Sequence, residues 1–284
     1  MSTRGLDLDL LLGTAREAVL AAAAFALDPG AELRVETKQH DKDLVTQVDR
    51  GAERIIAECL APTAIPLHGE EEHRVEGFEE RTGPAWVVDP IDGTTNYVAT
   101  HRDWAVSLAL VDGGAPVIAA LADPVAGRLM TAIAGRGARV GPLRAAGDGR
   151  DDEPIPMAPD LALERGAAIV PFNSLRGVPG ADGVVSAALA ARAYGSAALE
   201  IAEVARGGAV AFLHGGLKPW DMAAAVLLAQ ETGALVTRVD GSALDARRAG
   251  SVLAATPTAH ARILELLAQA RDAENGTGDP APWV

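Results

Sequence analysis

"AWVVDPIDGTTNY", residues 85–97, is the stretch on which the reading turns. An apolar run, Ala85-Trp86-Val87-Val88, leads into two aspartates, Asp89 and Asp92, set around a proline. Gly93, Thr94, Thr95 and Asn96 follow at once. A short apolar run bounded by turn residues predicts a buried strand over 85–89. Such a strand delivers two carboxylates to its end, where ligands gather in layered α/β folds. Acidic residues are almost never buried without a partner, so a partner has to be found.

Two further acidic points have the same setting. Glu70 follows the apolar run 64–68, and Asp221 follows "HGGLKPW" and opens an Ala-rich helix over 222–232. Brought together, Glu70, Asp89, Asp92 and Asp221 would repel one another unless a cation sat between them. Hard divalent ions such as Mg²⁺ favour carboxylate oxygens. Gly93 lets an anion approach the backbone closely. The N–H groups of Gly93 and Thr94 at a helix start suit a phosphate, and a threonine hydroxyl can orient a water. Cation, water and phosphate cradle together describe metal-assisted phosphoester hydrolysis.

Composition sets the frame. The 284 residues suit one large domain or two lobes. Apolar residues make up 49 % and aromatics only 4 %, so the core must be built mainly from Ala, Val and Leu. A formal net charge of −14 disfavours nucleic-acid binding, which relies on clustered Lys and Arg. Cys59 is the single cysteine and falls on the apolar face of a helical pattern, so it reads as a structural thiol and no disulfide is needed. "AVLAAAAFAL" (18–27) lacks the basic flank of a signal peptide and is short for a membrane span. Residues 7–27 therefore read as a helix of a cytoplasmic protein without a membrane partner.

Along the chain, apolar spacing predicts a helix over 46–61, opened by a capping box from Thr46 and Asp49. Short runs between Trp104 and Gly135 predict an antiparallel meander. The second half alternates: strands at 166–170, 192–195, 209–213, 234–239 and 251–255, and helices at 181–191, 196–206, 222–232 and 257–271. Lobes of about 1–143 and 155–272 are expected within one unit of 1–272, with a flexible tail over 273–284. His68, His73 and His260 read as surface or loop positions, and Trp220 as packing beside the site.

"GEE" (69–71), "DPIDGTTNY" (89–97) and "PWDMAA" (219–224), with "KDLVTQVD" (42–49) and "GSAAL" (195–199), resemble the inositol monophosphatase family. The resemblance covers roughly residues 5–270. It implies an α/β fold, a five-layered αβαβα sandwich of the inositol monophosphatase and fructose-1,6-bisphosphatase type, and a lithium-sensitive homodimer. It implies two or three Mg²⁺ ions held by Glu70, Asp89, the Ile91 carbonyl, Asp92 and Asp221. Asp49 and Thr94 would activate water, with Glu70 beside them, and Lys42 would sit on a catalytic loop. Gly93, Thr94, Thr95, Gly195, Ser196, Ala197, His214 and Asp221 would contact phosphate or substrate. The sequence departs from the pattern at His214, where the family's inositol phosphatases usually carry a glutamate, and at Ser196, where threonine is common. The resemblance thus implies a phosphatase of a small polyol or sugar phosphate. Histidinol-phosphate phosphatase, 3′-phosphoadenosine 5′-phosphate phosphatase and a regulatory binding protein are alternatives on the same fold.

Overall fold

The computed structural model describes residues 5–30, 35–37, 44–144, 149 and 152–276. The chain opens with α1 (Leu8–Leu27), whose first turn is capped by Asp7 accepting from the Leu10 amide at 3.1 Å. A two-stranded ribbon, β1 (Val35–Thr37) and β2 (Leu44–Thr46), leads to α2 (Gln47–Leu60). The expected capping box is present: Thr46 accepts from the Val48 and Asp49 amides, and Asp49 accepts from the Thr46 amide. Then come β3 (Leu67–Gly69), β4 (Ala85–Asp92), the short α3 (Thr94–Ala99) and the meander β5 (Ala105–Asp112), β6 (Ala115–Asp123), β7 (Arg128–Ile133) and β8 (Ala138–Pro142), with β9 (Glu153–Pro154) at its edge. These strands form a seven-stranded sheet in chain order, parallel between β3 and β4 and antiparallel elsewhere.

The second half gives β10 (Ala167–Ile169), α4 (Phe172–Gly177), α5 (Ala181–Ala187), β11 (Ala190–Arg192), α6 (Ala197–Ala205), β12 (Ala211–Leu217), α7 (Pro219–Glu231), β13 (Leu235–Thr237), β14 (Gly250–Ala255) and α8 (Pro257–Gly276). Its five-stranded sheet has the order β11-β10-β12-β14-β13.

Side-chain alternation along the strands sorts these elements into layers. In β4, Trp86 and Val88 point toward α1 and α2, while Ala85 and Val87 point toward α6 and α7. In β12, Phe212 faces α6 and α7, while Ala211 and Leu213 face α5 and α8. The result is the expected αβαβα sandwich. α7 lies between the two sheets, and every residue from Met222 to Ala229 is buried, which is why its sequence is apolar all round. α1 is long and apolar enough to cross a membrane by length and composition. Here its Ala15, Ala18, Ala22 and Ala23 are buried in the core shared with α2 and the first sheet.

Several boundaries differ from expectation. β4 runs through Asp92 rather than ending at Asp89, and β12 carries His214 inside the strand rather than in a loop. α5 stops at Ala187, and the following strand is 190–192, not 192–195, because β10 pairs with Ala190–Arg192. α8 continues to Gly276, past the expected start of the tail. Lys42 lies outside the described residues, as do 277–284.

Leu108 sits fully buried at the centre of β5 against the α1 and α2 layer. Leu108→Ala should lower unfolding free energy by about 2–5 kcal/mol, read from the urea midpoint at unchanged slope.

Candidate active site

The site begins with an irregularity in β4. Residues three apart on a regular strand face opposite sides of a sheet. Pairing of β4 with β5 shifts register between Asp89 and Asp92, where Pro90 offers no amide to the ladder. The bulge turns both carboxylates toward one cavity. Asp89 Oδ1 accepts from the Ile91 amide at 3.0 Å, which fixes the turn from within. Gly93 then takes φ +91°, and a Cβ there would meet Asp103 O at 3.1 Å and Gly195 O at 3.2 Å, so the backbone passes where no side chain fits.

The cavity has a volume of about 340 Å³. Among the described residues its lining includes five carboxylates, those of Glu70, Asp89, Asp92, Glu200 and Asp221, and no Lys or Arg. Each comes from a different strand end or helix start except the β4 pair. Glu70 follows β3, whose partner in the sheet is β4. Asp221 is in the first turn of α7, and its Oδ2 accepts from the Lys218 amide at 2.8 Å. Asp92 Oδ2 accepts from the Ser196 hydroxyl at 2.5 Å and the Ala198 amide at 2.8 Å, so the start of α6 holds it.

Asp49 reaches the cavity through Thr94. The Thr94 hydroxyl lies 3.1 Å from both Asp49 Oδ1 and the Ile91 carbonyl. The other Asp49 oxygen accepts from the Thr46 hydroxyl at 2.5 Å and amide at 2.9 Å. A hydroxyl that donates to a carboxylate keeps its lone pairs for another donor.

Electrostatics match the geometry. Burial and the neighbouring carboxylates push Asp89 well above the ordinary range, Glu70 contributing most among those neighbours. Burial pushes Asp92 up to about 7 against the hydrogen bonds from Ser196 and Ala198. It pushes Asp221 up to about 8 and also raises Asp49. His214 goes the other way, because burial lowers its pKa. Its Nδ1 accepts from the Gly216 amide at 3.0 Å, so the ring is neutral with its proton on Nε2, 3.5 Å from Asn173 Nδ2. Among the described residues no three acidic, histidine or cysteine side chains form a ready-made cage for a metal ion. What fits a cation is the donor set: hard carboxylate oxygens converging on one cavity whose described lining holds no Lys or Arg.

The cavity brings together Glu70, Asp89, Ile91, Asp92, Gly93, Thr94, Gly195, Ala197, His214 and Asp221 from the sequence reading. Ser196 and Thr95 fall elsewhere. The Ser196 side chain is fully buried against Asp92, and Thr95 is exposed on the outer side of α3. The Gly195 amide donates to Glu200 rather than to the cavity. Trp220 packs beside the site under the guanidinium of Arg74, 4.6 Å from its ring centre. His73 lies in the loop after Glu70, as expected, while His68 in β3 and His260 in α8 are packed inside the fold. His68 stacks on Phe78 and burial lowers its pKa to about 4, His73 pairs with Glu53, and His260 is buried against Thr237.

Two buried acids next to the site, Glu53 and Glu200, escaped the sequence reading. Glu53 is fully buried, and its carboxylate accepts from the amides of Glu71, Glu72 and His73 at 2.7–2.8 Å. It thereby anchors the loop that begins with Glu70. Its signal was a charge one helical turn after Asp49 on the buried face of α2. Glu200 was likewise an acid inside an apolar helix.

A layered αβαβα sandwich with an acid-lined cavity where the two sheets' ends meet is the architecture of a class of phosphoric monoester hydrolases. The chain belongs to the inositol monophosphatase family, whose profile matches residues 7–272, and is a phosphatase. It is 32% identical over 258 residues to an inositol-1-monophosphatase of Bacillus subtilis, covering 88% of this chain and 93% of that one. It is 33% identical over 242 residues to the Nus factor SuhB of Vibrio cholerae, covering 83% and 86%. The crystal structure of an IMPase/NADP phosphatase complexed with Mg²⁺ and phosphate superposes with a TM-score of 0.75 at 26% identity, covering 87% of this chain and 90% of that one.

The raised carboxylates carry a pH dependence. Asp92 and Asp221 titrate near 7 and 8 in the folded protein against 3.8 as model groups, so the folded state binds more protons than the unfolded one between those values. Stability should therefore fall as pH rises from about 5.5 to about 8 in EDTA, and Asp92→Asn should flatten that slope. Urea midpoints across this range test it, and a midpoint rising with pH in wild type would contradict the electrostatics.

Proposed function

We propose that this chain is a Mg²⁺-dependent phosphomonoesterase acting on a small polyol or sugar phosphate. The observation that carries it is the cavity: a phosphatase must admit a phosphate dianion, and among the described residues this cavity is lined by five carboxylates and no Lys or Arg. Glu70, Asp89, the Ile91 carbonyl, Asp92 and Asp221 would hold two or three ions. Bound there, Mg²⁺ offsets the acid cluster, draws in the phosphate oxygens and lowers the pKa of water. Phosphate would rest against the Gly93–Thr94 turn, beside Ala197.

The chain's own residues then do the following. Thr94 accepts a hydrogen bond from the attacking water while its own proton points to Asp49. Asp49, held by Thr46 and raised by burial, is a better proton acceptor than an ordinary aspartate. As the water oxygen bonds to phosphorus, the ester P–O bond breaks, and the alcohol leaves with a proton from solvent. Glu53 and Ser196 keep Glu70 and Asp92 in place.

Asp89→Asn and Asp92→Asn should abolish Mg²⁺-dependent phosphate release from inositol 1-phosphate and a panel of sugar phosphates, with the circular dichroism spectrum retained. Thr94→Ala should lower kcat by about 10²-fold or more while KM changes little, and Thr95→Ala should be mild. Mg²⁺ should raise Tm more at pH 8 than at pH 5.5, since protonation discharges the site. Full activity in EDTA would overturn the reading.

His214 is the selective element in this reading. A neutral imidazole with one free donor differs from a charged acceptor. Because burial holds its pKa below the usual histidine value, substrate preference should stay flat between about pH 7 and 8. His214→Glu should shift kcat/KM ratios toward the inositol ester by about 10-fold; an unchanged ratio would remove His214 from substrate reading.

The relatives named Nus factor SuhB favour a second reading, a binding protein on the same fold. Purified protein that binds Mg²⁺ yet releases no phosphate from any ester in the panel would select it. A homodimer acting in the cytoplasm completes the proposal, and light scattering tests its mass.

A further inference from the structure

The turn between β11 and α6 forms one wall of the cavity, yet residues 191–195 are exposed and Tyr194 keeps 39% of its surface in solvent. Polar contacts hold its backbone. Two side chains supply them from opposite sides. Glu200, which is 1% exposed, directs Oε1 at the amides of Tyr194 and Gly195, at 2.5 and 2.9 Å. Asn96, on the other half of the chain, donates through Nδ2 to the Tyr194 carbonyl at 2.6 Å and the Asp103 carbonyl at 2.8 Å.

The turn also fits its surroundings with little slack. Gly195 has φ +86°, and a Cβ there would meet Asn96 Nδ2 at 3.1 Å. The Gly195 carbonyl in turn stands 3.2 Å from where a Gly93 Cβ would be. The two glycine turns are thus nested, one from each half of the sandwich. Immediately after the turn, Ser196 donates to Asp92. Moving Tyr194–Gly195 therefore moves the Ala197 wall of the cavity and the hydrogen bond that orients Asp92.

We propose that Glu200 and Asn96 form a two-sided clamp on the Tyr194–Gly195 peptides that sets the second half of the chain against the Gly93 turn, making both of them positioning residues for phosphoester hydrolysis. Glu200 acts as a hydrogen-bond acceptor, not as a charge. Asn96 acts as a double donor whose two protons join the 103 and 194 backbones. The two side chains are coupled through the turn they share.

The acceptor role separates two substitutions. Glu200→Gln keeps a carbonyl oxygen for both amides, whereas Glu200→Ala keeps none. Asn96→Asp keeps the shape but sets carboxylate oxygens against two carbonyls. The first readout is amide hydrogen exchange of peptides covering 192–199 in the full chain, which needs neither metal nor substrate. Exchange should quicken in Glu200→Ala and Asn96→Asp, and stay at the wild-type rate in Glu200→Gln. The second is KM for inositol 1-phosphate with Mg²⁺, which rests on the phosphatase reading. It should rise about 10-fold in Glu200→Ala and Asn96→Asp, with a smaller change in kcat, and under about 2-fold in Glu200→Gln. The double variant should lose less than the product of the singles. If Glu200→Gln is as impaired as Glu200→Ala, the charge acts and the clamp is wrong. Unchanged exchange in Glu200→Ala or Asn96→Asp overturns it equally, and that result stands whichever ester the protein hydrolyses.

Discussion

Like charges crowded around one cavity cost free energy, and this fold holds five carboxylates there. Asp89 and Asp92 are brought to the same side only because β4 bulges at Pro90. The bulge is held by a polar frame: an internal turn at Asp89, a hydroxyl and an amide from α6 on Asp92, and a capped α7 on Asp221. Every one of these contacts spends one carboxylate oxygen on the protein, and none of them is with a basic side chain. Such a site is poised for cations, because cations alone relieve the repulsion while leaving the acids deprotonated.

Around that centre the layers serve two purposes. α7 is buried on all sides between the sheets, so the aspartate in its first turn is as fixed as a core residue. α2 carries Asp49 and Glu53 one turn apart on a buried face, one relaying to Thr94 and the other tethering the loop of Glu70. The apolar core thus places helix ends, and the helix ends place the acids. Buried acids in this protein sort by what their oxygens meet. Glu53 and Glu200 accept backbone amides and organise loops, Asp123 and Asp152 pair with Arg128 and Arg16, and Glu70, Asp89, Asp92 and Asp221 face the cavity together with Glu200.

The architecture bears on specificity as well. The first half supplies the acids of β4 and the Thr94–Asp49 relay, while His214, Asn173, Ala197 and Glu200 come from the second. The cavity is therefore shared between the halves, with Asp221 of the second beside Glu70, Asp89 and Asp92 of the first, and the Gly93 and Gly195 turns touch at the seam. Within the second half the Gly216 amide donates to His214 Nδ1, so the ring lines the cavity without adding charge.

Much of this was legible in the chain. Apolar periodicity marked the helices and the meander, Thr46 and Asp49 announced a capping box, and the spacing around Pro90 with the distant Trp-Asp named the acids. These are local signals, set by backbone sterics and side-chain chemistry within a few residues. Tertiary structure decided what depends on contacts far along the chain. That Ser196 turns inward to Asp92, that Glu200 and Asn96 meet the same peptide from 98 residues apart in one case, and that His68 stacks on Phe78 follow from packing of remote elements. The sequence determined which residues carry charge and which strands and helices bear them. Burial, which with the neighbouring carboxylates shifts their pKa values, exists only once the layers have closed.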